Sequence, residues 1–269
     1  MKTAKPKRNL KWNTKCMLCL LPSLVGTAVF FVVPYLRVLY YSLIDNQFRR
    51  NFVWFDNYIK TLSNKYFQLS LKNSLLLIVI AVPILMVLAL VISLALSYGI
   101  KWLRKTRFAF VLPMVIPTAS IVLIWRSLFT DSSTPLPIYL LFIWKNIGIC
   151  IVLLTAAFTS IESSVFEAAR LDGANSFILH TKITIPMIAP TVFFTALLSI
   201  VNSFKIFKES YLFYGTNYPP DHSYTLQYYM NNNFLKLDYQ SLATSAVLTS
   251  ILVFGIVMAG IAIQRRYDR

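Results

Sequence analysis

TSIESSVFEAARLDGANSFILHTKITIPMIAP, residues 159–190, is a charged and punctuated stretch set between two apolar ones. Ser164 followed three residues later by Glu167 has the spacing of a capping box. The residues VFEAARLD are rich in good helix formers. Gly173 then supplies a residue at ease in left-handed geometry, which ends the helix. Asn175 or Ser176 is placed to cap a second short helix running to about residue 184, and Pro186 ends that helix or opens the next one. The expected object is a compact helix–turn–helix. Phe166, Leu171, Phe177 and Ile178 are expected to give it apolar contacts, and Glu167, Arg170 and Asp172 its charge. Two long helices can be joined in a few residues, so a folded loop of this size reads as a docking surface.

Moving outward, hydrocarbon is the expected solvent. The 269 residues are 57% hydrophobic and only 13% charged, against roughly a quarter charged in a soluble domain. No Asp, Glu, Lys or Arg occurs in residues 16–36, 73–100, 108–125, 183–204 or 239–264. Each run is close to or above the roughly 18–20 residues that a helix needs to cross a bilayer. A shorter run, 146–161, becomes long enough if it extends back to residue 136. The expected fold is therefore all-α, a polytopic membrane protein with six transmembrane helices. The spans are read at about 17–42, 73–99, 108–128, 138–160, 187–209 and 242–264. Proline falls in several of them (Pro22, Pro34, Pro83, Pro113, Pro117, Pro186, Pro190) and tends to kink a helix by removing a backbone hydrogen bond.

The net charge of +16 raises nucleic acid as a partner, but the positions argue against it. Lys2, Lys5, Lys7, Arg8, Lys11 and Lys15 precede the first span. Lys101, Arg104, Lys105 and Arg107 form the turn between spans two and three, and Arg265, Arg266 and Arg269 follow the last. With six spans all three clusters fall on one side, which the positive-inside bias makes the cytoplasm. Both termini are then cytoplasmic, and the basic residues contact lipid headgroups. The N-terminal apolar run is too long for a signal peptide and reads as a retained span. The division expected is a basic N-terminus at 1–16, a first transmembrane helix at 17–42 and an extracytoplasmic segment at 43–70. A five-helix core follows at 71–264, with its cytoplasmic loop at 160–186, and then a basic tail at 265–269.

The loop resembles the EAA signature of binding-protein-dependent ABC importer permeases, EAA-x3-G-x9-I-x-L-P. Glu167, Ala168, Ala169, Gly173, Ile183 and Pro186 match at the expected spacing, with Ile185 where leucine is usual. PYLRVLYYSL, WFDNY, KNSLLLIVIAVP, LPMVIP and IWKNIG resemble the MalF-like branch, which serves sugars, oligosaccharides and glycerol phosphates. The chain departs from that pattern in the short TDSSTPLP turn, in Glu162 where proline is usual, and in NYPPD where a glycine-rich segment is common. The resemblance implies a type I importer permease of MetI-like architecture in a bacterial or archaeal plasma membrane. It also implies four kinds of partner: a second homologous permease, two ATPase subunits carrying ATP and Mg, an extracytoplasmic solute-binding protein, and membrane lipid. The loop residues Glu167, Ala168, Ala169, Arg170, Asp172, Gly173, Ile183 and Pro186 would couple the spans to the ATPase.

A phosphate cradle is missing. None of the seven glycines precedes a lysine, so ATP hydrolysis is assigned to a partner chain and this chain is read as a transport subunit with no cofactor of its own. Cys16 and Cys19 sit at a membrane edge, and Cys150, His180 and His222 are isolated, so no metal site is expected. Polar residues within spans are pathway candidates, here Asn202, Ser203, Phe204 and Lys205. Phe207, Tyr211, Trp125 and Trp144 are further candidates to stack on a sugar ring. Arg126, Lys145, Lys205 and Lys208 are read first as interfacial anchors. The competing readings are a permease for a polyamine, phosphate or peptide, and an ion-coupled secondary transporter. The latter favours midplane carboxylates, which no span shows in its interior.

Overall fold

The computed structural model describes residues 10–97, 107–130 and 133–267. Lys2, Lys5, Lys7, Arg8, Lys101, Arg104, Lys105 and Arg269 lie outside the described residues. Helices α1 (Leu10–Thr27) and α2 (Val33–Ser42) are joined without a break by a π-helical turn, Ala28–Val32. Pro34 explains that turn. Its ring displaces the carbonyl four residues back and its nitrogen has no proton. Widening the helix there lets Val33 N–H donate to the Ala28 carbonyl instead. After a short helix, α3 (Asp56–Ser63), comes α4 (Lys65–Ser97), which carries Pro83 without breaking.

Span three is not the single helix expected. It is α5 (Arg107–Val115) and α6 (Thr118–Leu128), bent by 111°. Proline forces its predecessor out of helical geometry, and Pro117 itself is extended at φ −54°, ψ 131°. Helix α7 (Leu136–Thr159) is unbroken, and helix α8 (Ser163–Leu171) follows it. Span five also departs from expectation. Helix α9 (Ser176–Ile178) passes through a π-turn (Leu179–Thr184) into α10 (Ile185–Met187), then bends 69° into α11 (Ala189–Ser203). The helix stops at Ser203, short of the expected residue 209, and restarts as α12 (Phe207–Tyr214). Pro190 sits in the first turn of α11, where a missing N–H costs nothing. Helices α13 (Leu226–Leu235) and α14 (Tyr239–Tyr267) complete the chain.

Among the described residues, then, four unbroken helices are long and apolar enough to span a membrane, and the number is six when each bent pair is counted as one span. Helices α4 and α7 form the centre. Leu77, Ala81, Leu85 and Ala89, at helical spacing on α4, meet Leu141, Cys150, Ile151 and Leu154 on α7. Gly148 lets α5 press directly on α7, since a Cβ there would run into the Phe110 carbonyl. Ser93 ties the pair further by donating to the Ile151 carbonyl at 3.2 Å. A second cluster, Phe67, Tyr224, Leu226, Tyr228 and Tyr229, joins the start of α4 to α13. There Asn73, buried, donates to the carbonyls of Asp221 (2.5 Å) and Tyr224 (2.9 Å), and Ser74 accepts from Leu226 N–H at 3.0 Å.

Two substitutions test these anchors. Asn73→Leu strands the Tyr224 carbonyl, at about 1–3 kcal/mol, and leaves that of Asp221 with the Tyr224 N–H alone, and Gly148→Val overpacks α5 against α7 for about 1–3 kcal/mol. Both are expected to lower the midpoint of thermal unfolding in detergent. Gly26→Ala, which meets nothing within 4 Å, is expected to leave it unchanged.

Candidate functional site

The loop folds as two short helices, with one correction to its start. Glu162, extended at φ −63°, ψ 142°, occupies the cap position of α8 without a side-chain cap bond. Ser164 is therefore already inside the helix, donating to Glu162 Oε2 at 3.2 Å. A capping box needs the serine outside the first turn and the glutamate three residues on. Here Glu167 is too far along the helix to reach back, so its carboxylate is not used as a cap.

The far end of α8 is as expected. Gly173 lies at φ +80°. Its N–H donates to the Arg170 carbonyl and that of Ala174 to the Ala169 carbonyl, both at 3.0 Å. This pair of bonds is the Schellman ending, and the left-handed residue it demands favours glycine. Asn175 then caps the next helix, its Oδ1 accepting from Ile178 N–H at 2.9 Å. Before Pro186 the helix widens again, and Ile185 N–H reaches the His180 carbonyl.

Ala169, Leu179 and Thr184 are buried and seat the loop, and Ile183 is half-buried. Ala168, Asp172 and Pro186 are exposed. Glu167 and Arg170 line a cavity of about 490 Å³ together with Leu94, Phe158, Phe166 and Thr184. Glu167, Arg170 and Asp172 make no ion pair among the described residues; the single one is elsewhere. Leu171 and Phe177 do not pack on the bundle as expected, being 89% and 74% exposed. They flank the Gly173 turn, and their isolation beside a charged helix was the available signal.

A second polar place lies where α5, α7, α11 and the start of α12 meet. Lys145 pairs with Glu209 and also donates to Thr118 Oγ1 at 2.7 Å. The two charged side chains are only 20% and 13% exposed. This corrects the reading of Lys145 as an interfacial anchor: its charge is met by a carboxylate from another helix. Sequence alone does not bring together residues 64 positions apart. Asn202 donates to Asn146 Oδ1 at 3.3 Å. Lys145, Asn146, Asn202 and Glu209, with Met114, Phe142, Lys205 and Ile206, line a cavity of about 170 Å³. Of the four pathway candidates, Asn202 and Lys205 are brought there. Ser203 is buried, its hydroxyl donating to the Ile200 carbonyl at 2.6 Å, and Phe204 packs on the second cluster. Trp125 stacks on Trp144 and Phe207 meets Tyr228 edge-on, so these rings pack on one another.

Residues 73–269 match the family described as binding-protein-dependent transport system inner membrane component. The chain is 26% identical to the osmoprotective compounds uptake permease protein GgtC of Synechocystis, over 73% of its own length and 80% of that protein's. It is 26% identical to the lactose transport system permease protein LacF of Rhizobium radiobacter, over 78% and 80%. Its fold matches a solved bacterial ABC transporter that imports the acidic polysaccharide alginate, with a TM-score of 0.75 at 20% identity over 97% of this chain and 98% of that one.

The Lys145–Glu209 pair is testable by a double-mutant cycle. Lys145→Met or Glu209→Gln alone leaves a largely buried charge unpartnered and is expected to cost on the order of 3 kcal/mol, while the double substitution costs much less than the sum. Thermal midpoints in detergent read both, and simple additivity would mean that the two charges do not interact.

Proposed function

The chain belongs to the family of binding-protein-dependent transport system inner membrane components, and from that premise we propose that it is the permease subunit of an importer for sugars or oligosaccharides. It works beside a second, homologous permease, receives solute from an extracytoplasmic binding protein, and is driven by two ATPase subunits that bind ATP and Mg. Residues 71–264 form the translocating core, and both termini and the loop at 160–186 face the cytoplasm. Solute moves by alternating access, with nucleotide binding and hydrolysis shifting the population between outward- and inward-facing states.

The folded loop carries this reading. Glu167, Arg170 and Asp172 make no ion pair among the described residues, and Leu171 and Phe177 present apolar side chains away from the bundle. Together with Ala168, Ala169, Gly173, Ile183 and Pro186 they make a rigid surface for the ATPase: buried apolar anchors supply affinity and charges set register. Asn202 and Lys205 stand along the solute path. The relative named for lactose and the fold neighbour named for alginate support a sugar, and the relative named for osmoprotective compounds favours a second reading, a small non-sugar solute.

Three variants test the loop: Glu167→Lys, Gly173→Leu, and Leu171→Asp with Phe177→Asp. Leucine at 173 meets a left-handed backbone at a cost of about 1–2 kcal/mol, a local effect. Each variant is expected to reach normal levels in the membrane yet lose ATPase co-purification and at least tenfold in solute uptake. Normal uptake in all three would refute the coupling role. Binding of lactose, alginate oligosaccharides and non-sugar osmolytes to the co-encoded external protein separates the two solute classes.

A further inference from the structure

The cavity between α5, α7, α11 and α12 holds more charge than its apolar surroundings sustain unaided. Burying an ion in hydrocarbon is costly unless it is paired or wet. Lys145 and Glu209 meet that cost by pairing, with Thr118 Oγ1 accepting a further hydrogen bond from the ammonium. Lys205 does not. It lies in the break between α11 and α12 and lines the same cavity. It is exposed and makes no ion pair among the described residues, the Glu209 carboxylate on the same lining being taken by Lys145. With Lys145 and Glu209 cancelling, one uncompensated positive charge remains on the lining.

The neutral groups add a second preference. Asn146 spends its amide N–H on the Phe142 carbonyl at 2.8 Å and its oxygen on Asn202. Asn202 Oδ1 accepts nothing from the chain among the described residues, so it is open to a hydroxyl. We infer that this cavity is a water-filled contact point on the solute path, and that Lys205 makes it select polyhydroxylated solutes bearing an anionic group, a carboxylate or a phosphate. The inference rests on the permease reading and narrows its solute class.

The test does not depend on transport. In full-length protein in membrane vesicles, with Cys16 and Cys19 replaced by Ser and Cys150 by Ala, one new thiol is placed on the lining by Asn202→Cys or, separately, by Met114→Cys. Its reaction rates with the anionic sulfonatoethyl and the cationic trimethylammonioethyl methanethiosulfonates are compared. One uncompensated charge a few ångströms away is expected to favour the anionic reagent by roughly tenfold. Lys205→Met is expected to abolish that preference, and Lys208→Met, outside the cavity, to retain it. Failure of both thiols to react would mean that the cavity is not on a water-accessible path. Reaction without preference, or a preference that survives Lys205→Met, would remove the selective role of Lys205. In the assembled importer, Lys205→Met is expected to raise KM for a uronic-acid oligosaccharide at least fivefold while leaving its neutral counterpart within twofold. Equal losses overturn the selectivity, whereas uptake of neither solute by the unsubstituted importer, with labelling as expected, counts against the permease reading alone.

Discussion

Inside a bilayer every backbone N–H and carbonyl must find a partner within the protein, and proline is the residue that makes this hardest. The chain meets the constraint in two ways. Before Pro34 and Pro186 the helix widens into a π-turn, so Val33 and Ile185 donate five residues back and the helix continues. At Pro117 and near Pro190 the helix stops and restarts, with bends of 111° and 69°. The first solution keeps a rod. The second creates helix ends inside the bundle, and helix ends leave polar groups that attract partners.

That is where the polar cavity forms. Thr118, the first residue of α6 after the sharp bend, receives the Lys145 ammonium. Glu209 lies in the first turn of α12, just after another break, where a carboxylate also meets the positive end of the helix dipole. One lysine on the unbroken helix α7 thus holds the starts of two short helices.

This explains what was legible in the sequence. The uncharged runs around α4 and α14 read as spans because length and polarity alone decide them. The bends did not read, because proline has several outcomes: Pro83 sits inside an intact helix, Pro34 is absorbed by a π-turn, and Pro117 breaks the chain's direction. The choice depends on what neighbours offer the freed carbonyl. In the loop, Gly173 and Asn175 were legible because backbone geometry demands those residue types. The capping box was not, because Glu162 moved the helix start forward and Ser164 with it. Lys145 was misread because its partner comes from a distant helix.

The two polar places are not independent. Helix α11 joins them: the loop enters it through the bend at Ile188, and its last turn carries Asn202 into the cavity. At 15 residues and about 1.5 Å per residue it is a rod of roughly 22 Å. Its flanks are fixed rather than loose. Thr195 and Ser199 are fully or almost fully buried, Ser199 meets the Cys150 thiol on α7 at 3.5 Å, and Gly260 leaves room for Phe193 against α14. A short rod gripped along its length shifts as a body rather than bending. In the function proposed, displacement of the loop by the ATPase reaches Asn202 with little loss, and Lys205 follows because it lies in the three-residue break at 204–206. Coupling over this distance then needs no chain of altered side-chain contacts, only the movement of one helix against α7, the element to which Lys145 ties the cavity.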